Sequence, residues 1–209
     1  MLIRNGNRKL ASDARGAALI EFSYTLPVFI FLMLGGMELV NLALANLKVS
    51  RAAETLADNA ARVRSQMDEN DLDQIFTGLD KQGSSIDLKN KGRSILSSVQ
   101  DNGLGGGAKG QTIRWQRCFG AKATAPKYGA EGKGKSDASL KNGIGPTGRQ
   151  ISAQPGTAIM FAEVTYDYDP VIFPKFFLQR QIRYEAAFNV RERTELGITN
   201  VKGKPLKSC

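Results

Sequence analysis

Histidine is absent from all 209 residues. The side chain that most often acts as a general base near neutral pH, and the commonest nitrogen ligand for zinc, is therefore missing. Cysteine occurs only at positions 118 and 209, too sparse and too widely spaced for a CxxC redox pair or a metal cluster. No nucleophile stands beside an obvious base, and acids such as Glu163 and Asp167, in a β-like run, are expected to face solvent. Enzymatic activity, a metal site and a cofactor are accordingly not expected.

What the chain does have is one long apolar stretch. Between Arg15 and Met37 the only charge is Glu21, and from Phe22 to Met37 there is none. Continued as helix through Glu38 to Leu47, at about 1.5 Å per residue, it is long enough to cross a hydrocarbon core of about 30 Å. Residues 17–47 are thus expected to form a transmembrane helix. The leader, 1–16, carries Arg4, Arg8, Lys9 and Arg15 against Asp13, a bias that keeps the N-terminus cytoplasmic and the remainder outside.

A carboxylate in such a helix costs about 2.5–3.5 kcal/mol at the bilayer centre and less near an interface, so Glu21 calls for a partner. Cleavage after Gly16 would supply one. The new amino group on Ala17 would lie four residues from Glu21 on one helix face, and in a bundle the terminus of a neighbouring subunit could serve instead. Pro27 has no amide proton and predicts a bend, while Gly35 and Gly36 would let a neighbouring helix approach closely. Glu38, the second acid, is expected at the outer interface in contact with water, with no partner assigned.

The runs Arg15-Gly-Ala-Ala-Leu-Ile-Glu-Phe22, Leu26-Pro-Val-Phe29 and Gly35-Gly-Met-Glu-Leu39 resemble the TadE-like family, minor pilins of tight-adherence (Flp/Tad) pili, across roughly residues 13–55. The resemblance implies a minor pilin or pseudopilin of a type IV pilus, cleaved by prepilin peptidase between Gly16 and Ala17. Glu21, Pro27, Gly35, Gly36 and Glu38 would then serve helix assembly. Its partners would be that peptidase, other pilins, the Tad secretion machinery and the membrane. Its place would be the bacterial inner membrane, single-pass with an extracytoplasmic C-terminal domain, or a surface pilus. The alternative is an uncleaved membrane-anchored binding module, an adhesin or receptor for an anionic ligand.

Beyond the apolar run, no glycine or proline stops the helix, which is expected to reach about Met67. Val49, Ala53, Leu56, Ala60, Val63 and Met67 recur at spacings of four and three, one buried face against a soluble domain. Residues 68–73 are acidic and are expected to cap a second helix with apolar positions Leu72, Ile75, Phe76 and Leu79, in preference to binding calcium. Ser94–Gln100 and Thr112–Phe119 read as a hairpin, Thr157–Tyr168 as an inner strand with both faces covered, and Gln181–Arg191 as its antiparallel, half-buried neighbour.

The stretch 119–156, rich in glycine and lysine, reads as a flexible surface insertion that builds no core, and its Gly132–Lys135 segment is not expected to be a phosphate loop. Phe173, Phe176 and Phe177 form an aromatic cluster that could touch membrane or a neighbour. The fold expected overall is α+β and pilin-like, with 48–209 forming an extracytoplasmic domain around a small antiparallel sheet. In that compartment Cys118 and Cys209 are expected to form a disulfide holding a polar tail, with two separate thiols as the alternative. The net charge of +9 falls to +6 once the leader's four bases and one acid are set aside, which suits an anionic partner, nucleic acid included.

Overall fold

The computed structural model describes residues 14–172 and 179–209. The leader's Arg4, Arg8, Lys9 and Asp13 and the aromatic cluster at 173–177 lie outside the described residues. The chain is α+β. Helix α1 (Ala14–Arg62) comes first, and a four-stranded antiparallel sheet forms the centre of the domain that follows. The described residues fall into two compact units, 14–43 with 170–172, and 44–169 with 179–209.

In the first unit α1 is apolar on all sides. Leu19, Phe22, Val28, Phe29, Leu32 and Leu39 are each about 60–70% exposed, a display of apolar surface that only lipid or other helices can cover. Residues 16–62 hold a window long and apolar enough to span a membrane.

In the second unit α1 acquires a buried face. Val49, Ala53, Leu56 and Ala60 are all inaccessible, joined by Ala52, Ala57 and Ala61, so the stripe is wider than a heptad seam and lined with small residues. The helix ends at Arg62, five residues short of the expected Met67. Met67 is instead drawn into a two-residue strand, β1 (Met67–Asp68), which pairs in parallel with β6 (Ile198–Thr199) near the far end of the chain. A long-range ladder has replaced the last helical turn.

Helix α2 (Glu69–Gly83) follows at once, and the acidic run does cap it. The Asp68 carboxylate accepts from the Asn70 amide at 2.9 Å and the Asp71 carboxylate accepts from the Asp68 amide at 3.0 Å, a capping box. Leu72, Phe76 and Leu79 point inward, and Phe76 stacks on Phe119 with ring centroids 5.4 Å apart. A short helix, α3 (Leu88–Lys91), leads into the sheet.

The sheet contains β2 (Gly92–Asp101), β3 (Gln111–Phe119), β4 (Ala158–Tyr168) and β5 (Arg180–Asn189) in the order β3-β2-β4-β5. β2 and β3 form the expected hairpin, and a bulge at Ser98/Val99 pairs Ser98 with Trp115 but Val99 with Ile113. That extra residue sends Trp115 and Ile113 to opposite faces, although their spacing of two would otherwise put them on one. Leu96, Met160, Ala162 and Val164 share a face with Tyr184, whose hydroxyl reaches Asn46 of α1 at 3.5 Å.

The other face of the sheet is covered by the segment between β3 and β4, contrary to the expectation that this segment builds no core. Leu140, Ile144 and Ala153 pack on Val99, Ile113, Ile159 and Phe161. Few apolar residues suffice because the segment is fastened by main-chain bonds, among them Gly132 N–H to the Ile113 carbonyl at 2.8 Å and Gln111 N–H to the Leu140 carbonyl at 3.1 Å. It therefore also covers the β3 edge. The tail closes the rest of that edge. Cys118 and Cys209 form a disulfide, and the Cys118 amide donates to the Lys207 carbonyl at 2.7 Å.

Candidate functional site

The residues singled out near the N-terminus all lie on α1. Gly16, Ala17 and Glu21 occupy its first turns, exposed, with Ala17 and Glu21 one turn apart on the same face. Pro27 sits inside the helix without ending it. Near it the Thr25 hydroxyl donates to the Phe22 carbonyl at 3.3 Å, a local bond within the same turn. A Cβ added at Gly16, Gly35 or Gly36 would meet nothing within 4 Å, so these small residues leave open places along the helix.

Glu38 differs from its expected setting. It is buried, not washed by water, at 2% exposure. Its carboxylate accepts from the Val171 amide at 3.1 Å and from the Ile172 amide at 2.8 Å. Two main-chain donors satisfy an ionised carboxylate well in a poorly hydrated place. They also fix where the chain returns to the helix after Pro170. Nothing in the sequence near 171 signals this, since the partners are backbone amides 133 and 134 residues away.

The sheet face under the insertion carries a group of buried and half-buried ionic contacts. Glu163, expected to face solvent, is 1% exposed and is held by the Arg183 guanidinium and the Lys127 amide. Its position on an inner strand beneath the insertion explains the difference. Burial pushes its carboxyl above the usual range despite both contacts. The Tyr128 hydroxyl donates to Glu185 at 2.7 Å, and burial with that carboxylate raises the phenol far above its ordinary value. On the neighbouring edge Arg117 bridges buried Glu69 at 2.6 Å and Glu131 at 3.0 Å. These groups pair with one another, although the buried Arg183 Nε has no hydrogen-bond partner, and among the described residues no group of three His, Cys, Asp or Glu side chains is placed to hold a metal.

The run Gly129-Ala-Glu-Gly-Lys-Gly-Lys-Ser136 does satisfy the spacing of a phosphate-binding loop, and it is the structure that denies it that role. No strand leads into it and no helix follows. The Gly132, Lys133 and Lys135 amides are spent on the carbonyls of Ile113, Ala130 and Gly132, so they do not converge on an anion. Two clefts do open on this side. One, of about 490 Å³, is lined by Lys127, Tyr128, Lys133, Lys141, Thr147 and Gln150, among others. The second, of about 580 Å³, shares Lys127, Gly145 and Pro146 with it and reaches Arg149, Arg183 and Glu185. The clefts were not foreseen, because their walls come from four separate parts of the chain.

No curated protein and no solved structure matches the chain. The apolar helix itself does find a likeness: residues 16–62, the stretch that holds Gly16, Glu21, Pro27, Gly35, Gly36 and Glu38, match the model of the TadE-like proteins, and the likeness to that Tad pilus-associated family is one of this segment.

Proposed function

We propose that the chain is a minor pilin-like structural subunit of a bacterial tight-adherence type IV pilus, cut by prepilin peptidase after Gly16 and acting in pilus assembly and adhesion. The observation that carries this reading is a single exposed acid, Glu21, five residues after Gly16 at the head of a helix whose apolar surface is uncovered. Once residues 1–16 are removed, the ammonium of Ala17 and the carboxylate of Glu21 can neutralise each other within one subunit or between two, which sets the register of packing helices. In this reading residues 17–47 span the inner membrane, the basic leader faces the cytoplasm, and the disulfide-linked domain lies outside. The role is structural, with other pilins and the Tad secretion machinery as partners.

The test is the N-terminal residue of the membrane-extracted protein from cells with and without prepilin peptidase, together with a Gly16→Leu variant. The reading expects Ala17 as the first residue, dependent on both the peptidase and Gly16. Met1 retained in every sample, or a cut beyond the apolar run, would overturn it and leave a permanently anchored binding module. Glu21→Gln provides a second measurement. It should be cleaved yet incorporate poorly alongside other subunits, whereas normal incorporation would remove the assigned role of the carboxylate.

A further inference from the structure

The basic excess of the domain is unevenly placed, and charge compensation sharpens the asymmetry. Residues 119–156 contain Lys122, Lys127, Lys133, Lys135, Lys141 and Arg149 but only two acids, Glu131 and Asp137. Glu131 is committed to Arg117 and the Gln116 amide, and Asp137 is met by the Ser139 hydroxyl and by the Ser139 amide at 2.7 Å, which with the more distant charge of Lys133 hold its carboxyl below the usual value. Around the two clefts Arg183 is taken up by Glu163, and Lys127 is shared with Glu185 at 3.6 Å. Among the described residues Lys133, Lys141 and Arg149 make no ion pair, and all three are exposed.

The walls that hold these cations are built. Residues Gly143–Ser152 form a small hairpin closed by Ile144 N–H to the Ile151 carbonyl at 2.8 Å and Ile151 N–H to the Ile144 carbonyl at 2.9 Å. Ile144 is buried beneath it against Val99 and Phe161. Gly143 has φ of +98°, and a Cβ there would stand 2.2 Å from the Ile151 carbonyl oxygen, so the turn is available only to glycine. The result is a pair of open clefts of about 490 and 580 Å³ that share Lys127, Gly145 and Pro146, each of a size to seat a small ligand or a short stretch of polymer.

We propose that these adjoining clefts bind a short stretch of an acidic glycan, a chain of sugars bearing carboxylates. Lys133, Lys141 and Arg149 meet the carboxylates. Asn142, Thr147 and Gln150 offer donors and acceptors to ring hydroxyls, and the edges of Pro146 and Ile151 suit the apolar face of a sugar ring. Glu185 in the second cleft adds an acceptor for hydroxyls. Nucleic acid fits less well. Of the aromatic residues that line the clefts, Phe161 is buried at 2% exposure, Tyr184 carries its hydroxyl toward Asn46 of α1, and Tyr128 is tied to Glu185 and set edge-on to Phe161 at 5.5 Å, so none offers an open plane on which bases could stack. The inference depends neither on cleavage after Gly16 nor on entry into a filament.

The full chain, held in zwitterionic nanodiscs so that no anionic lipid competes, is titrated with polygalacturonate, neutral dextran and double-stranded DNA. The site variant is Lys133→Glu/Lys141→Glu. The control is Lys81→Glu/Lys202→Glu, which changes net charge equally at exposed positions away from the clefts. Both must keep the parent's unfolding midpoint. Polygalacturonate should bind and dextran should not. The site variant should lose about tenfold or more in affinity while the control loses less than about twofold, and the slope of log K against log salt should fall by about 1–2 in the site variant alone. Equal losses in both variants, equal binding of dextran, tighter binding of DNA than of polygalacturonate, or no polygalacturonate binding by the parent would each overturn the proposal.

Discussion

Removing the disulfide tests how the domain is closed. Cys118 lies on β3 and Cys209 lies in the tail, 91 residues away. In the chain-entropy view a bridge across a loop of that length restricts the unfolded ensemble by up to about 4.6 kcal/mol at 25 °C, and native bridges deliver typically about 2–4 kcal/mol. The native tail has further holds, since Lys204 and Lys207 both pair with Asp73 at 2.5 Å and the Val201 amide donates to Asp68 at 3.0 Å. These contacts keep the tail in place without the covalent bond, so Cys118→Ala/Cys209→Ala should leave the fold intact and cost about 2–4 kcal/mol. The single tryptophan, Trp115, is 1% exposed and three residues from Cys118, so its fluorescence in a urea titration of the full chain in detergent reports on this part of the sheet. With m of about 1–3 kcal/mol/M, the midpoint should fall by about 1–2 M. The parent under reductant should shift equally. A midpoint unchanged within about 0.3 M in both the variant and the reduced parent would refute the reasoning, because the bridge would then constrain nothing that unfolding releases.

Arg117→Met strands Glu69, whose side chain is only 4% exposed, and should cost about 3–5 kcal/mol in the same titration, largely recovered in Arg117→Met/Glu69→Leu; a loss below about 1 kcal/mol would mean that the pair is solvated. Gly143→Ala forces a side chain into positive φ and against the Ile151 carbonyl, and should lower stability by about 1–3 kcal/mol, read as a lower melting midpoint. The pH dependence follows from Asp68, held down by the Val201 and Asn70 amides, and Asp73, held down by Lys204 and Lys207, both below the ordinary 3.8. A depressed carboxylate contributes stability above its unfolded value and loses it as pH falls through the folded one. The urea midpoint should therefore drop on acidification below about pH 4, less steeply in Asp68→Asn/Asp73→Asn, and parallel profiles would contradict the assignment.

The four strands of the sheet were legible from local signals, a β-like run and its return about a glycine-rich turn in the first two, two apolar faces in Thr157–Tyr168 and alternation in Gln181–Arg191, and the structure begins and ends them within two residues of the expected limits. The capped second helix was legible for the same local reason. What the sequence hid was long-range. Val63 and Met67 continue the apolar stripe, yet Met67 pairs with Ile198, and no pattern near residue 67 announces a strand partner more than a hundred residues on. The insertion misled for a different reason. Its three core residues, Leu140, Ile144 and Ala153, show no period because each is delivered by a separate turn and fixed by hydrogen bonds to β3 or within its own hairpin.

The two candidate sites divide along the same line. Everything that marks the helix lies within its own sequence: an acid in an apolar run, a glycine five residues ahead, a proline six residues behind. Helical geometry alone turns those spacings into faces, so the segment could be read before any coordinates. The clefts depend on which charges are left over. Counted along the chain, Arg183, Lys127, Lys133, Lys141 and Arg149 weigh the same. Folding spends the first on Glu163 and shares the second with Glu185, and both acids come from strands outside the lysine-rich segment. The cations free to meet a ligand are therefore a remainder after tertiary pairing. That is why net charge suggests an anionic partner without indicating which cations would meet it.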